Sequence, residues 1–183
     1  NASENYTLIG DQEIIDYRET ASVRINGYGK IGDYIPFYFT PKTPMLYSII
    51  TGHKSPKVPK RSRRDILVIR CDIEKLCESK HWFFTDAQGN SAIADHHNDL
   101  TYLSSIDWDI INNSDFKKTN EYLDKTRRYQ AEFLVYNYVA VHHIESLNVY
   151  DQDAATFAKN ELDKNNINLA LKIKPKYFFK WYI

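Results

Sequence analysis

Apolar positions in this chain fall into short runs separated by polar turns, and most of the runs read as strands. Ile66-Leu67-Val68-Ile69 is continuous and β-branched, the pattern of a core strand. Trp82-Phe83-Phe84, residues 133–136, 144–150, 167–173 and 177–183 read as further strands. Helical spacing is clearest at 153–164, where Ala154, Phe157, Ala158 and Leu162 form one stripe behind a capping Asp151. Thr43 and Pro44 open a helix that runs to Thr51 and stops at Gly52. Shorter helices are expected at 12–20, at 73–79 behind Asp72, and at 100–104 and 108–111. Gly27, Gly29 and Gly32 mark a loop leading into the aromatic run 33–39, which Pro36 confines to an edge or bulged strand. Strands and helices alternate irregularly, which predicts an α+β fold around a mixed or antiparallel sheet.

At 183 residues and 43% hydrophobic content the chain fits one domain with a sizeable core. Its net charge of zero removes any global electrostatic attraction to nucleic acid, so that attraction must be local. Lys54, Lys57, Lys60, Arg61, Arg63 and Arg64, broken by Pro56 and Pro59, form a basic linker that either contacts phosphates or is a solvated loop. The 14 Tyr and 9 Phe supply core volume and surfaces on which bases can stack. Cys71 and Cys77 read as reduced thiols of a cytoplasmic protein. No apolar run reaches about 18 residues, and no signal peptide is visible. His96-His97 beside Asp95 and Asp99 lack a second ligand cluster, and His142-His143 read as packing and surface, so no metal is expected. No glycine-rich phosphate loop and no Ser/His/Asp set is present.

The chemistry centres on residues 127–136, Arg-Arg-Tyr-Gln-Ala-Glu-Phe-Leu-Val-Tyr. In a strand Gln130 and Glu132 point together, with Ala131 and Phe133 on the other face. An amide beside a carboxylate can hold a sugar hydroxyl and stabilise an oxocarbenium-like cation, as cleavage of a glycosidic bond requires. The alternative is a glutamate at an exposed strand start, paired with Arg127 or Arg128. The long connection from 85 to 132 ends at this point, and long connections of this kind are often functional.

Residues 33–47, Asp-Tyr-Ile-Pro-Phe-Tyr-Phe-Thr-Pro-Lys-Thr-Pro-Met-Leu-Tyr, resemble the signature of DarT-type DNA ADP-ribosyltransferase toxins. Residues 128–135 resemble that family's segment around its catalytic glutamate. Phe83-Phe84-Thr85-Asp86, Ile106-Asp107-Trp108 and Trp181-Tyr182 fit in the same order, so the resemblance covers nearly the whole chain. It implies the ADP-ribosyltransferase fold, a split, curved β-core that grips NAD. It also implies transfer of ADP-ribose from NAD to thymidine in single-stranded DNA, by the toxin of a pair whose macrodomain antitoxin is DarG. Anti-phage defence is a role reported for such pairs.

Carried over by position, Glu132 is the catalytic glutamate at the end of an ADP-ribosylating loop at 85–132. Arg18 falls at the family's second catalytic residue, which also contacts NAD. A guanidinium stays protonated, so Arg18 fits charge stabilisation at the thymine base and diphosphate better than it fits a base. Gln130 is expected to position the acceptor, with Met45, Tyr38 and Tyr47 lining the DNA groove. The family opens with a strand bearing a His-x-Thr motif, and only 17 residues precede Arg18 here. An N-terminally incomplete NAD-binding element is therefore expected. Two rivals stand beside this reading: a non-catalytic single-strand-binding domain, and transfer to guanine or protein.

Overall fold

A computed structural model describes residues 9–53, 56–117 and 119–179. Lys54 of the basic linker, the Trp181-Tyr182 match and the last part of the strand expected at 177–183 lie outside the described residues.

Six α-helices are described: α1 Gln12–Thr20, α2 Pro44–Thr51, α3 Ile73–Leu76, α4 Trp108–Asn112, α5 Lys125–Arg128 and α6 Gln152–Lys164. The strands are β1 Tyr34–Tyr38, β2 Val68–Cys71, β3 Trp82–Thr85, β4 His96–His97, β5 Glu132–Tyr136, β6 Ile144–Val149 and β7 Leu171–Ile173. They form two sheets, one of four strands ordered β1-β5-β3-β4 and one of three ordered β2-β6-β7. The first is antiparallel throughout, while β6 and β7 of the second run parallel. This is the expected α+β, split mixed-sheet arrangement.

The caps explain several boundaries. Thr43 accepts from the Leu46 N–H, Pro44 fills the first turn, and α2 ends where Gly52 takes the left-handed conformation at φ 73°. Asp151 caps α6 through the Ala154 N–H. Pro36 has no N–H to donate, and β1 is correspondingly an edge strand.

Strand β5 is the spine of the first sheet. Phe133 and Val135 face one side, where Phe84, Tyr129, Ala131, Ile106, Ile111 and Leu76 close a core. Leu134 faces the other with Phe83 and Tyr34, under Val23 and Ile31. Burial of each such large side chain stabilises by about 1.5–3 kcal/mol. Glu132 lies two residues before Leu134, so alternation puts its side chain on the face covered by the segment that follows α1.

Three expectations fail here. The run 66–69 is not the central strand: the strand is Val68–Cys71, at a sheet edge, with Leu67 39% and Ile69 48% exposed. An unbroken apolar run can arise at an edge, because burial depends on what packs against each face. Residues 167–173 pair only from Leu171 onward. The strand expected from 177 is, in its described part, a 3-10 turn at Pro175–Tyr177 followed by Phe178. There Phe178 is buried against Leu46 and Ile50, serving as an anchor and not as a pairing partner.

Candidate active site

Glu132 opens β5 between two neighbours, with Tyr38 opposite it on β1 and Thr85 opposite it on β3. Its backbone N–H donates to Thr85 Oγ1 at 3.3 Å, and that hydroxyl donates to the Ala87 carbonyl at 2.6 Å. The turn after β3 is thereby tied to the first residue of β5. Gly89 in that turn gives its backbone N–H to the Glu132 carboxylate. A Cβ at Gly89 would lie 3.1 Å from Glu132 Oε2, so only glycine lets the backbone come this close.

Arg18 arrives from α1. This helix buries none of its residues, so apolar packing does not position it. Its C-terminal end is instead bonded to the following loop: Lys30 Nζ donates to the Thr20 carbonyl at 2.9 Å, and the Ile31 N–H to that of Ala21 at 2.9 Å. Gly32 passes directly beneath, where a Cβ would meet Glu19 Cα at 3.0 Å and the Arg18 carbonyl oxygen at 3.1 Å. The guanidinium then reaches the sheet, with Arg18 Nη1 2.9 Å from Glu132 Oε2.

This ion pair is nearly dry, with side-chain exposure of 13% for Arg18 and 2% for Glu132. Burial raises the Glu132 carboxyl pKa above its ordinary value, while the Arg18 charge and the Gly89 N–H oppose the rise without cancelling it. Tyr38 is affected in the same way, its phenol pushed up by burial and then by the Glu132 charge. The second terminal nitrogen of Arg18, Nη2, is buried and has no hydrogen-bond partner among the described residues.

The structure therefore joins Glu132 and Arg18, and brings Tyr38 to them. It corrects the view of Glu132 as an exposed residue: it is 1% exposed. It also excludes the alternative pairing with its neighbours. Arg127 pairs with Asp124, and Arg128 with both Asp124 and Asp107. Gln130 departs from expectation too. It sits in the turn before β5, so strand alternation does not govern it, and its Nε2 donates back to the Thr126 carbonyl at 3.1 Å. Met45 is 43% exposed on α2. Tyr47 packs edge-on against Phe116 and Phe179. Among the described residues no hydrogen bond, ion pair or ring contact links Met45 or Tyr47 to the Arg18–Glu132 pair.

The two adjacent histidines of β4 point to opposite faces. His96 stacks on Phe83 and accepts from the Arg24 N–H through Nδ1 at 3.1 Å, whereas His97 packs on Phe84 and Tyr102. Burial, followed by the Arg24 charge, lowers the His96 pKa to about 4. This neutral ring braces the segment that covers the site. Thr85, Gly89 and Gly32 carry equal structural weight, although in the sequence they read only as strand end, turn and loop.

The split pair of sheets is the fold of a DarT-type ADP-ribosyltransferase, as the structural comparison shows. The structure is similar to that of Thermus sp. 2.9 DarT in complex with ADP-ribosylated single-stranded DNA, with a TM-score of 0.84 and 26% identity over 94% of this chain and 81% of that one. The same Thermus protein in complex with NAD+ matches with a TM-score of 0.80 and 26% identity over 89% of this chain and 81% of that one. A DNA ADP-ribosyl transferase of Escherichia coli O127:H6 is 27% identical over 97% of this chain and 81% of its own length. One from Thermus sp. strain 2.9 is 33% identical over 76% of this chain and 64% of its own. The family model for DarT, the single-stranded-DNA thymidine ADP-ribosyltransferase, matches residues 1–182. The chain belongs to the DarT family, and it is a DNA ADP-ribosyltransferase.

Proposed function

We propose that this chain transfers ADP-ribose from NAD to a thymidine base of single-stranded DNA, with Glu132 and Arg18 as its catalytic pair. The observation that carries this assignment is the buried ion pair itself, since an apolar environment strengthens a carboxylate's hold on a developing cation. In the reaction the bond from ribose C1′ to nicotinamide breaks and its electron pair leaves with nicotinamide. Glu132 stabilises the resulting ribosyl cation. Thymine N3 then forms a bond to C1′ and loses its proton to solvent.

Arg18 holds the NAD diphosphate and offsets the negative charge that grows on the thymine ring. Residues 85–132 form the loop that presents the acceptor, with Gln130 and Tyr38 on the acceptor side. Met45, Tyr47 and the basic linker lie along the path of the strand. The target base must be unpaired to reach C1′, which favours single strands over duplex.

In the cell the enzyme acts as the cytoplasmic toxin of a pair with a DarG macrodomain antitoxin and serves anti-phage defence. In keeping with this, no helix among the described residues is long and apolar enough to cross a membrane.

Incubation with NAD and thymidine-bearing oligonucleotides, read by mass spectrometry, tests the reaction. A gain of one ADP-ribose on the oligonucleotide supports it. Binding without mass gain identifies a single-strand-binding domain instead. Mass gain on a thymidine-free oligonucleotide, or on protein alone, assigns a different acceptor.

A further inference from the structure

Outside the active site, one group of side chains among the described residues is placed so that it could hold a metal ion. Glu78 follows α3, and His142 and His143 end the 3-10 turn that leads into β6. Ligand atoms of all three lie within 4.8 Å of one another. Sequence alone assigned the two histidines, which precede a strand, to packing and surface.

The environment of His143 is unusual for a structural histidine. The residue is 5% exposed, and its Nδ1 has no hydrogen-bond partner among the described residues. Its Nε2 lies 3.4 Å from Glu78 Oε2, longer than a good N–H···O bond. Nε2, the nitrogen that faces Glu78, therefore has no hydrogen bond of normal length among the described residues, which leaves its lone pair open to an ion. The same separation matches the edge of a tetrahedral zinc site, about 3.4 Å for ligand bonds of about 2.0–2.1 Å. The His142 ring lies 4.3 Å from that of His143, centroid to centroid and almost perpendicular, so its nitrogen can approach from a second direction.

We propose that Glu78, His142 and His143 bind one divalent transition ion of the zinc class. Two imidazoles and a carboxylate suit such an ion far better than magnesium or calcium, which take oxygen donors. Three protein ligands leave one position to water. The ion ties the end of α3 to the start of β6, and so links the helix packed against the first sheet with the second sheet.

Glu78 and His142 are exposed, so replacing them leaves folding intact. Untagged protein is titrated calorimetrically with Zn2+, in parallel with Glu78→Gln and His142→Ala, and cobalt absorption is recorded as a spectroscopic readout. The expected result is one equivalent of tight binding, a tetrahedral cobalt band, and affinity weakened at least about tenfold in each variant. Absence of binding overturns the proposal. Binding that is unchanged in both variants also overturns it, by placing the ion at other histidines.

Discussion

Arg18 and Glu132 stand 114 residues apart in sequence and 2.9 Å apart in space, joined through Arg18 Nη1 and Glu132 Oε2. Each charge is the main compensation for the other's burial. Residues proposed to serve catalysis are therefore also part of the structure, and the two roles have to be separated by the choice of substitution.

Glu132→Gln keeps the shape and a hydrogen-bond acceptor for Arg18 but removes the charge. Loss of an electrostatic contribution of this kind lowers transfer by about 10²–10³-fold. Glu132→Ala leaves a buried guanidinium without a partner, and breaking a buried pair costs about 3–5 kcal/mol, less here to the extent that water reaches Arg18. Single-turnover transfer followed by mass spectrometry, together with thermal melting, distinguishes them: both variants lose activity, and the alanine variant also melts markedly lower. An alanine variant that melts at the wild-type temperature would mean that the pair contributes nothing to folding.

Gly32→Ala tests how Arg18 is positioned. The new methyl group meets backbone atoms of Arg18 and Glu19 at about the limit of contact, so α1 must shift. The contact calls for a shift of a few tenths of an ångström, and since misplacement by about 1 Å can cost 10²-fold in rate, a loss smaller than that is expected if Arg18 acts as proposed. Gly27→Ala is the control: its φ of +79° strains the substitution, but nothing lies within 4 Å of the new Cβ. The expected outcome is a severalfold loss of kcat for Gly32→Ala, and for Gly27→Ala only a stability loss of about 1–2 kcal/mol.

Much of this architecture is legible in the sequence where a local rule decides it. Thr43, Pro44 and Gly52 delimit α2, Asp151 opens α6, and Pro36 places β1 at an edge. Elements set by tertiary packing are not legible in that way. Leu67 and Ile69 look like core residues and are partly exposed, Leu67 just before β2 and Ile69 within it, because burial depends on what packs against each face. Gln130 does not follow Glu132 because the strand begins two residues later, and nothing local marks that point. The Arg18–Glu132 pairing came from the family resemblance, since no spacing rule reaches across 114 residues. Gly89 looks like an ordinary turn glycine until its proximity to the carboxylate is known.

If Glu132 acts as proposed, its raised pKa should set the acid side of the activity profile. Transfer needs the ionised carboxylate, so the acidic limb of kcat/KM should lie above the ordinary glutamate value of 4.5. Arg18→Gln removes the chief influence that lowers this pKa, so the limb should move to still higher pH as the maximum rate falls. A limb that stays at or below 4.5, or moves down in the variant, would contradict the assignment of Glu132 as the titrating group.

His96 gives a separate dependence of stability on pH. Its folded pKa of about 4 lies below the ordinary 6.5, so between these values the unfolded chain binds more protons than the native one. The stabilisation from keeping this ring neutral is fully present above pH 6.5 and is lost as pH falls toward 4. The raised carboxyl of Glu132 acts in the opposite sense, its contribution declining as pH rises above 4.5. Denaturant midpoints of wild type and His96→Gln, compared across this interval, isolate the histidine: the difference between the two proteins should shrink toward pH 4. A constant difference would mean that the ring titrates normally.

Met45 and Tyr47 separate DNA contact from packing on a single helix. Tyr47 holds Phe116 and Phe179 edge-on, so Tyr47→Ala should cost about 2 kcal/mol or more through lost packing. Met45 is 43% exposed, and truncation there should change stability by less than about 0.5 kcal/mol. If α2 borders the path of the strand, Met45→Ala weakens oligonucleotide binding, measured by fluorescence anisotropy, at unchanged melting temperature. Met45 offers a thioether and not a ring, so its contact with a base contributes less than the about 1–3 kcal/mol of a base stacked on an aromatic side chain, and a loss of about twofold or more in affinity is expected. Unchanged affinity in the Met45 variant would move the DNA path away from α2 and toward the turn that carries Gln130.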